Sequence, residues 1–306
     1  MSCCCEKNRP WRKRRFINDG PVKSLIILFY RQDLYHNNMA DLPVCRLCRH
    51  TMHPILLELG PLSIKTYGFL IAVGFLIGIA LASREAKRVG INQQTVLDLA
   101  FYIILGAIIG SRLFYVITHP EYFRESLLDA FKVWEGGLTF YGGFIMAFAV
   151  AVFMIKKYRL PACQTLDLFA PSLAVGILFG RLGCFFAGCC YGRSCSFPWA
   201  VTFTNHQSLA ELNVPLHPVQ LYAAAGSAIT LAILLLMKKR KTFHGELALV
   251  WIMLYSGCRL FEELFRGGQR GDLVFNTYPA SQVMALVLLV AAAIIFPVLK
   301  KRNPCK

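Results

Sequence analysis

Seven apolar runs, each near the length of a bilayer-crossing helix, organise the chain between residues 67 and 299. A hydrocarbon core about 30 Å thick takes roughly 20 helical residues. The runs are Tyr67 to Ser83, Leu97 to Thr118, Leu138 to Ile155, Leu166 to Cys190, Gln220 to Met237, Gly245 to Phe261 and Ser281 to Leu299. The first and sixth are short and suit a tilted helix or one partly sunk into protein. Basic clusters follow every second run. They are Arg84, Lys87 and Arg88; Lys156, Lys157 and Arg159; Lys238 to Lys241; and Lys300, Lys301 and Arg302. The other loops, such as His119 to Gly137, balance acids against bases. Loops rich in Lys and Arg stay on the cytoplasmic side. The pattern therefore predicts an all-α integral membrane protein of seven transmembrane helices, with the N-terminus outside and the C-terminus cytoplasmic. The polar stretch between spans 4 and 5 becomes a small periplasmic head.

Composition supports this reading. The chain is 56% hydrophobic and 16% charged, whereas globular chains carry roughly a quarter charged residues. So few charges cannot coat a water-soluble surface. The net charge of +16 does not point to nucleic acid, because the basic residues sit in short clusters between apolar runs.

The first fifty residues depart from the pattern. Arg12, Lys13, Arg14 and Arg15 fall on the side that the topology places outside, and Leu25 to Tyr30 is too short for a span or a signal-peptide core. Cys45 and Cys48 form a lone C-x-x-C, and Cys3, Cys4 and Cys5 are adjacent. One such pair without a second is weak support for zinc or redox chemistry. Residues 1–51 are expected to be an N-terminal extension, either a disordered arm or sequence upstream of a true start at Met52. Residues 52–300 form the membrane domain and 301–306 a cytoplasmic tail. The segment after Met52 reads as a short amphipathic piece at the outer interface.

Ionisable residues at membrane depth are costly and are functional candidates by default. Arg181 lies near the outer end of the fourth run, with Gly176, Gly180 and Gly183 spaced onto one helix face beside it. Small residues there let a helix or a lipid approach closely. Arg259, with Glu262 and Glu263, lies at the outer end of the sixth run, and Arg259 and Glu263 share a face at a spacing of four. Guanidinium groups offer forked donors to phosphate oxygens. A third set comprises Tyr67, Tyr141, His217 and Tyr222, with the glycine pairs Gly136–Gly137 and Gly142–Gly143. All three groups fall on the outer side. They predict a periplasm-facing cavity lined by two arginines, a glutamate and several tyrosines.

Five ordered motifs resemble the prolipoprotein diacylglyceryl transferase family over about residues 52–300. They are Tyr67-Gly68, Gly136-Gly137-Leu138-Thr139-Phe140 with Gly142-Gly143, Gly180-Arg181-Leu182-Gly183 through Tyr191-Gly192-Arg193, His217-Pro218 with Gln220-Leu221-Tyr222, and Arg259 with Glu263-Leu264-Phe265-Arg266. The resemblance implies transfer of a diacylglyceryl group from phosphatidylglycerol to the lipobox cysteine thiol of a prolipoprotein. A thioether forms and glycerol phosphate leaves. It implies a bacterial inner membrane enzyme whose partners are phosphatidylglycerol, the prolipoprotein lipobox segment and membrane lipids, with no nucleic acid, metal or other cofactor.

Carried over to these positions, Arg181 and Arg259 grip the lipid phosphate and Glu263 orients Arg259. Tyr67 and Tyr141 serve headgroup binding or proton handling. Gly142, Gly143, Gly183, Gly192, His217 and Tyr222 line the phosphatidylglycerol site, and Arg193 shapes the loop at the outer mouth.

Several positions depart from the family's pattern. Tyr141 stands where many members have His, Cys184 where Asn is usual, and Cys189 and Ala223 where Glu is usual. Cys184, Cys189, Cys190 and Cys195 suggest a disulfide stapling the elbow on an oxidising face. Two other classes compete. A membrane thiol oxidoreductase would use those four cysteines, but the spacing lacks a resolving pair. A transporter for an anionic solute would use the arginines. However, nothing polar is expected in the cytoplasmic halves, and no matching repeats are visible.

Overall fold

The computed structural model describes residues 53–59, 62–123, 127–132, 137–267, 273–274, 278–302 and 304. The expectations for residues 1–51, including Cys45 and Cys48, and those for Met52 and Gly136 lie outside the described residues.

Seven long helices follow the apolar runs: α1 (Thr66–Val89), α2 (Gln93–Thr118), α3 (Phe140–Lys157), α4 (Ala162–Ala187), α5 (Val219–Met237), α6 (Glu246–Phe265) and α7 (Ala280–Arg302). Six are long and apolar enough to cross a membrane. The exception is α6, which carries Glu246, Arg259, Glu262 and Glu263, all buried.

Three short antiparallel strand pairs accompany them. These are β1 (Ile55–Leu59) with β2 (Leu62–Lys65), β3 (Val201–Thr202) with β4 (Pro215–Leu216), and β5 (Leu273–Val274) with β6 (Tyr278–Pro279). The amphipathic piece expected after Met52 is thus the first strand of a hairpin that leads directly into α1, with Ile55 paired to Lys65.

Helix ends differ from the predicted runs for local reasons. Helix α1 continues past Ser83 to Val89, so Arg84, Lys87 and Arg88 belong to its last turns and not to a loop. Gly90 closes it in the left-handed region, at φ 75°. Cations there complement the negative end of the helix dipole. Helix α4 stops at Ala187 instead of Cys190, because Gly188 takes φ 73° and reverses the chain.

Helix α4 is the hub, packed against α1, α5 and α6. Against α1, Ser172 Oγ donates to Gly78 O at 2.7 Å, and a Cβ at residue 78 would rest in van der Waals contact with Ser172. Helices α2 and α3 form a hairpin packed chiefly on itself. Gly142 lies against Phe114 and the Gly110 carbonyl, and Gly143 lies against Ser111.

The expectation that nothing polar marks the halves opposite the site is overturned. Asp167, near the start of α4, is buried. It accepts from Gly245 N at 2.8 Å and Ala248 N at 3.1 Å, and pairs with Lys241 Nζ at 3.3 Å. A carboxylate at the first turn of α6 satisfies donors that the helix cannot. Asp167 therefore pins α6 to α4.

Residues 188–218 form the head between α4 and α5. The β3/β4 pair covers a small core of Phe185, Val201, Phe203, Ala210 and Leu216.

Candidate active site

Helices α4 and α6 meet at their C-terminal ends, and the seam between them is charged. Arg181 and Arg259, from different helices, share one carboxylate. Glu262 Oε2 lies 3.7 Å from Arg181 Nη2 and 3.2 Å from Arg259 Nη1. Glu263 Oε2 lies 3.3 Å from Arg259 Nη2 and 3.9 Å from Arg266 Nη1. Ser281 of α7 accepts from Arg259 Nη2 at 3.0 Å. All five charged side chains are buried. Burying ions costs several kcal/mol each unless partners offset it, and the alternation of Arg and Glu supplies those partners.

The offset is incomplete at two points. The one ion pair of Arg181 among the described residues is the 3.7 Å contact with Glu262, which is too long for a hydrogen bond. Both carboxylate oxygens of Glu263 are buried without an aligned donor. A guanidinium with unused donors beside a second guanidinium is prepared to receive an anion with several oxygens.

Tyr67, at the start of α1, meets Gly183 of α4, two residues beyond Arg181. A Cβ at Gly183 would fall 3.0 Å from the Tyr67 ring and 3.3 Å from its Cα. Gly176 and Gly180 behave otherwise. Among the described residues, no atom lies within 4 Å of a Cβ built on either, so the surface at these two positions is open. A crevice between α4, α5 and α6 is lined by Ala174, Ser227, Thr230, Trp251, Tyr255 and Glu262, among others. Glu262 is the one charged residue lining it. The two arginines expected in the cavity wall do not line it and instead pair with that carboxylate.

The head is stitched to the end of α6. Gly192 bridges Arg266, Arg193 N donates to Phe265 O at 2.9 Å, and the Arg193 guanidinium donates to Leu264 O. Gly192 has no side chain because His217, Val219 and Phe265 occupy the space. His217 and Tyr222 form a second polar group. Trp199 Nε1 donates to Tyr222 Oη at 2.8 Å, and Tyr222 Oη lies 3.1 Å from His217 Nδ1. Burial, reinforced by the Arg193 charge, holds His217 below its ordinary value and therefore neutral. Phe265 packs on both rings and joins this group to the charged seam.

The structure thus brings together Arg181, Arg259 and Glu263, sets Tyr67 against Gly183 on the α1 side of α4, and joins Gly192, His217 and Tyr222 to the end of α6. It sets Tyr141, Gly142 and Gly143 apart on α3. Tyr141 packs edge-on with Phe140 and is exposed. Its glycine neighbours serve the α2 contact.

The residues missed were Glu262 and Arg266 as bridging partners. Arg266 is three positions beyond Glu263, so helical spacing carried the signal. The hub position of Glu262 depends on α4 and was not readable. The four elbow cysteines form no disulfide. Instead the sulfurs of Cys184, Cys189 and Cys190 converge to within 4.8 Å of one another, without Cys195.

Comparison with known proteins agrees with the motifs. The family model described as prolipoprotein diacylglyceryl transferase matches residues 54–298. A phosphatidylglycerol–prolipoprotein diacylglyceryl transferase of Clostridium tetani is 32% identical over 246 residues, covering 80% of this chain and 97% of the relative. That of Finegoldia magna is 32% identical over 235 residues, covering 76% and 90%. That of Acinetobacter baumannii is 33% identical over 245 residues, covering 78% and 89%. These relatives favour neither an oxidoreductase nor a transporter. The chain belongs to the prolipoprotein diacylglyceryl transferase family.

Proposed function

We propose that this protein transfers the diacylglyceryl group of phosphatidylglycerol to the lipobox cysteine of a prolipoprotein, at the outer face of a bacterial inner membrane. The observation that carries the reading is the shared carboxylate. Arg181 and Arg259 come from separate helices, converge on Glu262, and leave Arg181 donors unspent.

All seven helices cross the membrane in this reading. The 20 residues of α6 rise about 30 Å, enough to span, and its charges are paired inside the bundle. The basic ends of α1, α3 and α7 and the Lys238 to Lys241 turn lie in the cytoplasm by the positive-inside rule. The C-terminal ends of α4 and α6 and the head then lie outside.

The lipid phosphate takes the place beside Arg181 and Arg259, displacing part of the Glu262 contact. The acyl chains stay in the bilayer, with the open Gly176 and Gly180 face as the approach. The thiolate of the lipobox cysteine attacks the glyceryl carbon that carries the phosphate. The C–S bond forms, the C–O bond breaks, and the electron pair leaves on a phosphate oxygen. Guanidinium donors stabilise the negative charge that develops there. Glu263 holds Arg259 in place, and Tyr67 packs the floor at Gly183.

The test is transfer of radiolabelled diacylglycerol from phosphatidylglycerol to a lipobox peptide, together with rescue of a strain depleted of its own transferase. Label in the transferred glyceryl carbons should appear on the peptide and survive mild base as a thioether, whereas acyl label is released as the esters cleave. Precursors that stay unmodified in the rescued strain would sink the reading.

A further inference from the structure

The elbow after α4 carries a cluster that the proposed reaction does not yet use. Gly188 at φ 73° ends the helix, and Cys190, a residue with a side chain, also adopts the left-handed region at φ 60°. Such a conformation is uncommon outside Gly, Asn and Asp and points to a functional constraint. Its effect is to fold Cys189 and Cys190 back over Cys184 on the last helical turn. The three sulfurs lie within 4.8 Å of one another, and Cys184 is in hydrogen-bond contact with both others. The arrangement is held from outside. Gln220 Nε2 donates to Cys189 O at 2.8 Å, and Cys189 N donates to Cys184 O at 3.1 Å. Cys189 is buried, whereas Cys184 and Cys190 are half-exposed, so the cluster has one open side.

The cluster borders the charged seam. Arg266 Nη2 lies 4.0 Å from Cys190 Sγ, and Arg181 is one helical turn before Cys184. Three thiolates around a divalent ion carry one net negative charge, which the neighbouring guanidinium groups balance as outer-shell partners. Zinc bonds thiolate sulfur at about 2.3 Å, which sets tetrahedral sulfurs about 3.8 Å apart, a contraction of about 1 Å at most. A disulfide would leave an odd thiol, whereas an ion uses all three.

We propose that Cys184, Cys189 and Cys190 bind a zinc ion whose open fourth position receives the thiol of the protein substrate. The role of that fourth position rests on the transferase reading; the metal site does not. Glu262 and Glu263 are both engaged by arginines, so neither is at hand as a base. Zinc removes the need for one, because a coordinated thiol is deprotonated outright. The substrate sulfur binds zinc and its proton passes to water. The zinc-bound sulfur attacks the glyceryl carbon, and glycerol phosphate departs beside Arg181. The resulting thioether is a weaker ligand and leaves. No electron is gained or lost, in keeping with a redox-inert ion. The proposal revises the expectation that no metal takes part.

The test compares full-length protein, purified without a polyhistidine tag, with the C184S/C189S/C190S variant. Metal held by Cys3 to Cys5 or by Cys45 and Cys48 is common to both, so the difference is the readout. Elemental analysis should show about one more zinc per chain in the parent. Cobalt exchange should give a sulfur-to-cobalt charge-transfer band that the triple variant lacks and C195S keeps. Equal zinc in parent and triple variant, or a disulfide within the cluster by mass spectrometry, overturns the site. Single serine variants with parental melting are scored in the same way, which keeps the readout independent of the folding of the triple variant. Chelator-stripped parent should lose transfer at least about a hundredfold and recover it with zinc. Unchanged transfer after verified stripping overturns the activating role and leaves the transferase reading standing. Failure of zinc-loaded parent to transfer overturns that reading, while metal content still decides the site.

Discussion

Two regions of the molecule each bury an arginine, and they do so differently. In the α2–α3 hairpin, Arg112 is saturated by the chain's own carbonyls. Its Nε donates to Ala130 O at 2.8 Å, Nη2 to Asp129 O at 2.6 Å and Nη1 to Gly137 O at 3.2 Å. Tyr115 and Phe123 flank it. In the α4–α6 seam, Arg181 has one ion contact at 3.7 Å and no aligned acceptor among the described residues. The first guanidinium fastens a loop. The second is buried with donors that no described acceptor takes up, which suits the proposed phosphate site. Burial is common to both; what differs is the state of the donors.

The sharpest way to break this contrast is to remove each arginine. Arg181→Ala or Arg259→Ala should reduce transfer by about a hundredfold or more, the scale of losing a transition-state donor, while the protein still inserts. Near-normal turnover in either variant would end the phosphate-clamp assignment.

Next in size is Glu262→Gln. It leaves Arg181 and Arg259 facing each other without a carboxylate between them, and losing one partner of a buried pair costs about 3–5 kcal/mol. Thermal unfolding in detergent should show a large drop. An unchanged melting temperature would mean that the seam is wetter than its burial implies.

Arg112→Ala should cost about 1–3 kcal/mol, the penalty of orphaned carbonyls. Turnover per folded molecule should be retained. Selective loss of transfer without destabilisation would erase the distinction drawn here.

Glycines extend the comparison. Gly142→Ala collides with Phe114 and the Gly110 carbonyl and should cost about 1–3 kcal/mol by overpacking. Gly180→Ala meets nothing within 4 Å and should leave unfolding unchanged or raise it slightly. Its effect, if that face admits lipid, is a higher KM for phosphatidylglycerol. Smallest of all is Tyr141→Phe. With Tyr141 on the exposed start of α3, the variant should keep its turnover. A loss of about a hundredfold would return the hydroxyl to proton transfer.

Much of the fold was legible along the chain. The seven runs became seven helices, since apolar length and flanking charge are local properties. Errors arose where local chemistry ended a helix differently, as at Gly188, or where the basic turns simply continued the helix, as in α1. For the site, Arg259 and Glu263 were legible because a spacing of four is a helix face. Arg181 was legible as a charge at membrane depth. The grouping of Tyr141 with the arginines came from placing all of them on one side of the membrane by loop charge, and a shared side does not report which helices touch. Asp167 was overlooked because a single acid in an apolar run gives no sign of the helix terminus it will cap.

The sequence by itself determined how many long helices form, which ends carry the basic clusters, and which helix ends hold the ionisable residues. Each follows from composition within a window of about 20 residues. Only the tertiary structure decided that Glu262 stands between two guanidinium groups, and that Gly142 and Gly143 serve a helix contact. It also decided that three sulfurs converge past Gly188. Those outcomes depend on how helices cross and on two left-handed residues in a turn, and neither is encoded in the periodicity of any one segment.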